Sequence, residues 1–192
     1  MKRVDRSELL DLGAYETVRE RFAARIIAEK RDRRVRVGDF VSAVFENRDT
    51  VLFQIQEMLR TERITQEKAI QHELDTYNEL VPGDRELSAC VFVEYSDADE
   101  RERMLARLAG LADDFYLVVG GERARLVPDA RDTDPARTMA VHYVKFVLSE
   151  ASERALAQGG IPVVLGVEHE AYRAETPLPE QTLRSLRDDL PS

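Results

Sequence analysis

The sequence contains one cysteine, Cys90, among its 192 residues. A single cysteine excludes an internal disulfide framework and a cysteine-rich zinc or iron–sulfur site, so a reducing compartment is expected. No apolar run approaches the roughly 18 to 20 residues that a membrane span needs. The N-terminal stretch MKRVDRSELLDLG has no apolar core of the kind found in secretory signals. These absences predict a cytoplasmic protein with no membrane segment.

Motifs that identify common reaction classes are also missing. There is no glycine-rich phosphate loop, no HExxH pattern and no nucleophile elbow. The stretch DARDTDPAR brings Asp129, Asp132 and Asp134 close together in the chain, but it lacks the spacing of a calcium loop and predicts a solvated turn. Cys90 has apolar neighbours in a strand-like run, which favours an inert buried thiol. The motifs therefore indicate neither a catalytic residue nor a cofactor.

The overall composition is that of a globular protein. Hydrophobic residues make up 43% and charged residues 34% of the chain, and the length fits a single domain over residues 1–192. The formal net charge is −9. General affinity for nucleic acid is therefore not expected, because a phosphate surface would repel most of the molecule.

Hydrophobic periodicity predicts mainly helices in the first half of the chain and strands in the second. Two glycines in FYLVVGGERARLVP separate strand-like runs and indicate a hairpin. No regular alternation of strand and helix is present. The expected fold is α+β, with a mostly antiparallel sheet in the C-terminal half packed against helices from the N-terminal half.

One predicted helix carries two stripes of side chains. It begins after Asn47, a good N-cap, and runs to about residue 63. One stripe is an ordinary core face, formed by Val51, Leu52, Ile55, Met58 and Leu59. The opposite stripe, formed by Phe53, Glu57, Arg60 and Ile64, includes a carboxylate and a guanidinium.

This second stripe has two interpretations. If it is covered, Glu57 is a partly buried carboxylate that could act as a general base or a metal ligand, with Arg60 as an anion clamp. Alternatively, Glu57 and Arg60 form an intrahelical ion pair at a packed interface, because they are three residues apart. The second interpretation is favoured, since perturbed carboxylates are more often structural than catalytic.

Two of the three histidines fall on faces predicted to be buried. His142 alternates with Val144 and Phe146, and His169 shares a strand face with Val167. Together with Glu57 they could form a His/His/carboxylate metal site. No metal-ligand spacing supports that site, so hydrogen-bonded core histidines are the preferred interpretation.

Residues 19–36 form the most basic segment of the chain. Eight basic and three acidic residues leave it at +5, so the remainder of the molecule carries −14. This asymmetry could bind an anion, a nucleic-acid backbone or an acidic protein surface through Arg31, Arg33, Arg34 and Arg36. A solvated face paired with local acidic residues is the alternative. No aromatic residues alternate with these arginines in the way that base stacking requires.

Several long stretches resemble a known bacterial family. FENRDTVLFQIQEMLRTERI and ELDTYNELVPGDRELSACVFVE are similar to the domain-of-unknown-function family 3501. YETVRERFAARIIAEKRDRRVRVG, VHYVKFVL and VEHEAY are similar to it as well. The resemblance implies no activity, cofactor or catalytic residue. It does imply a setting in peroxide or redox-stress physiology, because genes of this family often lie near those for rubrerythrin and an iron–sulfur oxidoreductase.

Three hypotheses follow. The first is a non-catalytic accessory protein, expected to form a dimer and to work with a redox protein partner. The second is a metal- or small-ligand-dependent enzyme that uses Glu57, Arg60, His142 and His169. The third is anion or nucleic-acid binding through residues 30–36 of the basic segment.

Overall fold

A computed structural model describes residues 1–190 of the chain. Its six helices are α1 (Leu12–Arg33), α2 (Arg48–Thr61), α3 (Glu67–Asn78), α4 (Ala98–Arg107), α5 (Glu150–Gln158) and α6 (Glu180–Asp188). The Asn47 side chain accepts a hydrogen bond from the Thr50 N–H, which confirms the predicted N-cap of α2.

Nine strands form two antiparallel sheets. They are β1 (Arg34–Val37), β2 (Val41–Glu46), β3 (Glu86–Val93), β4 (Phe115–Val119), β5 (Glu122–Arg123), β6 (Arg125–Val127), β7 (Val141–Val147), β8 (Val163–His169) and β9 (Tyr172–Pro177). The first sheet has the order β1-β2-β3-β7-β6 and the second has the order β5-β4-β8-β9. The predicted hairpin joins β4 to β5 through Gly120 and Gly121, which both have positive φ.

The two sheets share one apolar core. Alternate residues of the first sheet, such as Ala43, Ala89 and Val144, belong to the same buried cluster as Leu117 and Leu165 of the second sheet. Side chains from α4, α5 and α6 also join this cluster: Leu105, Leu156, Leu183 and Leu186. Burial of this apolar surface is the main force that holds the two sheets together.

A second apolar cluster covers the other face of the first sheet. Val51, Ile55 and Leu59 of α2 meet residues of α3 and the thiol of Cys90 on β3. This arrangement confirms the predicted core stripe of α2. Burial raises the pKa of the Cys90 thiol, with the nearby Glu46 carboxylate acting in the same direction. The thiol is therefore held in its protonated, unreactive form.

Two tyrosines make cross-strand hydrogen bonds, one between the two sheets and one within the second sheet. Tyr172 of β9 donates a hydrogen bond to the carbonyl of Val37 at 2.6 Å and accepts one from the Phe40 N–H. Tyr116 reaches across the strand position of Gly166 to donate to Glu175 at 2.7 Å. A Cβ at Gly166 would lie 2.2 Å from the Tyr116 ring, so this position requires glycine.

The α+β class and the antiparallel pairing predicted from the sequence are confirmed. The chain differs from the prediction in which half supplies the strands and which supplies the helices. It forms two sheets, and β1, β2 and β3 come from the first half of the chain. Helices α4, α5 and α6, which come from the second half, pack against the shared core.

Candidate functional site

Glu57 lies at the centre of a hydrogen-bonded cluster between α1 and α2. Its two carboxylate oxygens accept from Arg19 Nε and Nη2, each at 2.8 Å. The buried Tyr15 hydroxyl donates to Oε1 at 2.8 Å, and Arg60 Nε donates to the same oxygen at 3.3 Å. Arg60 also lies 3.6 Å from Glu16. Four donor atoms are therefore committed to one carboxylate.

These donors determine the chemistry of the cluster. The bidentate Arg19 pair lowers the pKa of Glu57 to about 2, against an opposing effect of burial, and Tyr15 and Arg60 also lower it. Burial and the bond to Glu57 raise the pKa of Tyr15. A carboxylate with so low a pKa is a poor general base, and its lone pairs are already engaged. The geometry therefore does not support the interpretation of Glu57 as a base or ligand.

The second stripe of α2 packs against α1 of the same chain. Phe53 makes an edge-to-face contact with Phe22, with ring centroids 5.3 Å apart. The Glu57–Arg60 pair exists, but Arg19 is the closer partner of Glu57. This part of the stripe is an interface within the fold.

His142 is fully buried beside a polar loop. Thr138 Oγ1 donates to Asp132 Oδ2 at 2.7 Å and lies 3.1 Å from His142 Nε2. A hydroxyl has one proton, so Nε2 is the donor in the second contact. Nδ1 has no hydrogen-bond partner and lies 3.6 Å from Asp132. Burial lowers the pKa of His142, although Asp132 and Asp129 counteract it.

His169 is hydrogen-bonded at both ring nitrogens. Nδ1 accepts from the Ala171 N–H, and Nε2 lies 3.1 Å from the carbonyl of Ala109, to which it donates. Within residues 1–190 no group of three or more His, Cys, Asp or Glu side chains could hold a metal ion. His142, His169 and Glu57 thus have separate partners. They do not form the His/His/carboxylate metal site that was considered from the sequence.

The four arginines proposed from the sequence for anion binding do not act together. Arg33 turns inward, and its side chain is only 2% exposed. Its Nη1 and Nη2 donate to both carboxylate oxygens of Asp189, at 2.7 and 2.8 Å, and Nη2 also donates to the Ser185 carbonyl. Arg33 is therefore a structural residue that joins α1 to α6.

The other three arginines converge on an open depression of about 540 Å³ between α1, α2 and β1. We call it the basic depression, and its lining residues are Ile26, Ile27, Lys30, Arg31, Arg34, Arg36 and Phe53. Ile27 is 68% exposed, although it is a large apolar residue. Apolar surface and guanidinium groups thus lie side by side.

The arginines of the basic depression are weakly neutralised. Arg31 and Arg36 have side chains that are 79% and 62% exposed, and their nearest carboxylates are 3.6 and 4.0 Å away. Arg34 donates to the Ser42 hydroxyl at 2.9 Å and lies 3.5 Å from Glu94. Ion pairs at such distances and exposures contribute little. Arg36 Nη2 donates to the Asp39 carbonyl at 2.5 Å, and the other guanidinium donors of Arg31 and Arg36 remain available to a partner.

The family model described as "Protein of unknown function (DUF3501)" matches residues 3–190. The chain belongs to this family. It is also similar to a solved structure, a novel protein of unknown function from Burkholderia pseudomallei. The two are 36% identical, the TM-score is 0.89, and the match covers 99% of this chain and 100% of that one. No curated protein matches.

Membership of the DUF3501 family confirms the resemblance predicted from the sequence. It assigns no residue a role, so the site of this DUF3501 protein has to be argued from its own geometry. Within residues 1–190, no helix combines the length and the apolar character that crossing a bilayer requires.

Sequence analysis missed Ile27 and the side-chain contact of Lys30 in the basic depression. Tyr15, Phe22 and Ile26 recur at helical spacing along α1. Ile27 lies about 100° from Ile26 around the helix, so it falls outside this apolar stripe. That offset was a usable signal for an exposed apolar residue. Lys30 also lines the depression, but its Nζ lies 3.3 Å from the buried Glu46 carboxylate. That contact brings together residues from two elements, and helical periodicity cannot reveal it.

Proposed function

We propose that this DUF3501 protein is a non-catalytic accessory protein that binds an acidic surface of a partner protein through the basic depression. The observation that carries the proposal is the 68% exposure of Ile27 beside Arg31 and Arg36. Interfaces are enriched in arginine, and their fully buried centres are more apolar than the rest of a protein surface.

Charge favours a protein partner over a nucleic acid. The segment of residues 19–36 carries +5, whereas the remainder of the chain carries −14. A nucleic acid that extends beyond the depression would be repelled by the acidic remainder of the chain. An acidic patch of a partner protein can be small enough to contact only the basic depression. Ile27 and Phe53 would also need apolar contacts, which a phosphate backbone does not offer.

The setting implied by the family resemblance supports one class of partner. Peroxide or redox-stress physiology in the bacterial cytoplasm makes an acidic redox protein the first to test. The alternative is that the basic depression binds the acidic surface of a second copy of the same chain. Self-association would be shown by a molar mass in solution that rises to that of a dimer as protein concentration increases. Charge reversal in the basic depression would then lower that mass.

Charge reversal in the basic depression should weaken binding of an acidic amphipathic peptide rich in Glu and Leu. We expect Arg31→Glu combined with Arg36→Glu to raise the dissociation constant about tenfold or more. We also expect the affinity of the wild type to fall as salt rises, because the arginines are exposed. Fluorescence anisotropy of the labelled peptide measures both effects.

The matched control is Arg21→Glu combined with Arg173→Glu, which reverses two exposed arginines outside the depression. It changes the net charge equally and should leave most of the affinity intact. An equal loss in both double variants would show that only net charge matters. Tighter binding of oligodeoxythymidylate than of the peptide would contradict the proposed partner class.

A further inference from the structure

A cavity of about 270 Å³ lies on the helix-facing side of the first sheet, away from the basic depression. Its floor is formed by β3, β6 and β7, and its walls by the end of α3, the N-terminal segment and the loop after β6. The lining residues are Arg3, Glu79, Leu80, Ser88, Val127, Pro128, Asp129, Ala130, Arg131, Tyr143 and Lys145.

Two of the three acidic side chains beside this cavity, Asp129 and Glu86, are already occupied, and the third, Glu79, is exposed at its rim. Asp129 accepts from the backbone N–H groups of Arg131 and Tyr143 and from Nε and Nη2 of Arg131. These four bonds fill the capacity of a carboxylate. Glu86 Oε2 accepts from Lys145 at 3.0 Å and from the Gly83 N–H at 2.9 Å.

The basic side chains at the cavity, in contrast, still have N–H groups without an acceptor. The bonds of Arg131 to Asp129 use Nε and Nη2 and leave Nη1 for a ligand. Lys145 has two further N–H groups, since one bonds Glu86. Arg3 is exposed at the rim and, unlike Arg131 and Lys145, pairs with no acidic side chain among residues 1–190.

Ser88 points to a missing hydrogen-bond partner. The residue is 1% exposed, and its Oγ has no hydrogen bond. It lies directly opposite Lys145 across the β3–β7 pair, so hydroxyl and ammonium share one part of the floor. A buried hydroxyl without a partner costs free energy, and a ligand oxygen at this place would remove that cost.

We propose that this cavity binds a small organic carboxylate with a short apolar body. The carboxylate would accept from Ser88, Lys145 and the free Nη1 of Arg131, with Arg3 closing the rim. Leu80, Val127 and the edge of the Tyr143 ring would contact the apolar part, since the Arg131 guanidinium lies over one face of that ring, 3.7 Å from its centroid. The volume lies just below the range of drug-sized pockets, which limits the ligand to a few heavy atoms beyond the acid.

Titration calorimetry with benzoate and butyrate, against benzamide and butyramide, tests the proposal on the full chain. The wild type should bind at least one acid about tenfold more tightly than its amide, because only the acid is charged. Tyrosine emission gives a second readout, since the chain has six tyrosines and no tryptophan. Equal binding of acids and amides, or no heat with either, would overturn the assignment.

Two variants separate binding from folding. Ser88→Ala removes a hydroxyl without a partner, so it should leave the free energy of unfolding unchanged or higher while raising the dissociation constant several-fold. Arg3→Gln should raise the dissociation constant about tenfold. Arg173→Gln, an exposed arginine outside the cavity, is the matched control. Wild-type affinity in both Ser88→Ala and Arg3→Gln would overturn the proposal.

Discussion

Replacing Asp189 with alanine should lower the free energy of unfolding by about 3 kcal/mol, the lower end of the range for a broken buried ion pair. The change leaves the Arg33 guanidinium, 2% exposed, with only the Ser185 carbonyl and Glu29 at 3.5 Å as partners. It also removes the hydrogen bond at 3.3 Å from Asn47. Urea unfolding at neutral pH measures the effect as a lower midpoint with an unchanged slope.

Asp188→Ala is the matched control, because Asp188 is the exposed neighbour of Asp189 in the same helical turn. It should change stability by less than about 0.5 kcal/mol. Combining Arg33→Met with Asp189→Ala should recover part of the loss, since the unpaired buried charge is then gone. A double variant less stable than Asp189→Ala alone would contradict this explanation.

Replacing Glu57 with glutamine should destabilise the protein by about 2 kcal/mol. The shift in the pKa of Glu57 from 4.5 to about 2 sets an upper bound of about 3 kcal/mol at neutral pH. Partial exposure of the Arg19 and Glu57 side chains reduces that value. The remaining cost arises because Arg19, Arg60 and the buried Tyr15 lose a common charged acceptor.

The effect of Glu57 should depend on pH. A carboxylate with a folded-state pKa below its unfolded value stabilises fully above the unfolded pKa, and that stability is lost as pH falls towards the folded pKa. The difference between wild type and Glu57→Gln should therefore shrink from about pH 4.5 to about pH 2. Glu62→Gln, exposed at the end of α2, is the control. A difference independent of pH would contradict the assigned pKa.

Local features of the chain were predictable from sequence. Asn47 caps α2 as its residue type and position indicated, and Gly120 and Gly121 form the expected hairpin turn. His142 and His169 occupy buried faces, as alternation along their strands predicted. Each of these follows from residue type and from the spacing of neighbours within a few residues, which the sequence shows directly.

Long-range partners were not predictable. Nothing in the RDRRVR stretch distinguishes Arg33 from Arg31 and Arg34, because its partner Asp189 is 156 residues away. Glu57 was paired with Arg60 by helical spacing, yet its closer partner Arg19 comes from another helix. The basic depression, like the cavity beside Ser88 and Lys145, exists only where separate elements meet.

Site-specific photo-crosslinking in cells tests the accessory role most directly. A benzophenone amino acid replaces Ile27 in the basic depression, or Val18, which is also exposed on α1 but does not line it. Position 27 should yield a crosslink to one acidic protein, position 18 should not, and reversal of Arg31 and Arg36 should abolish the product. No crosslink at position 27, or the same products from both positions, would contradict binding through the basic depression.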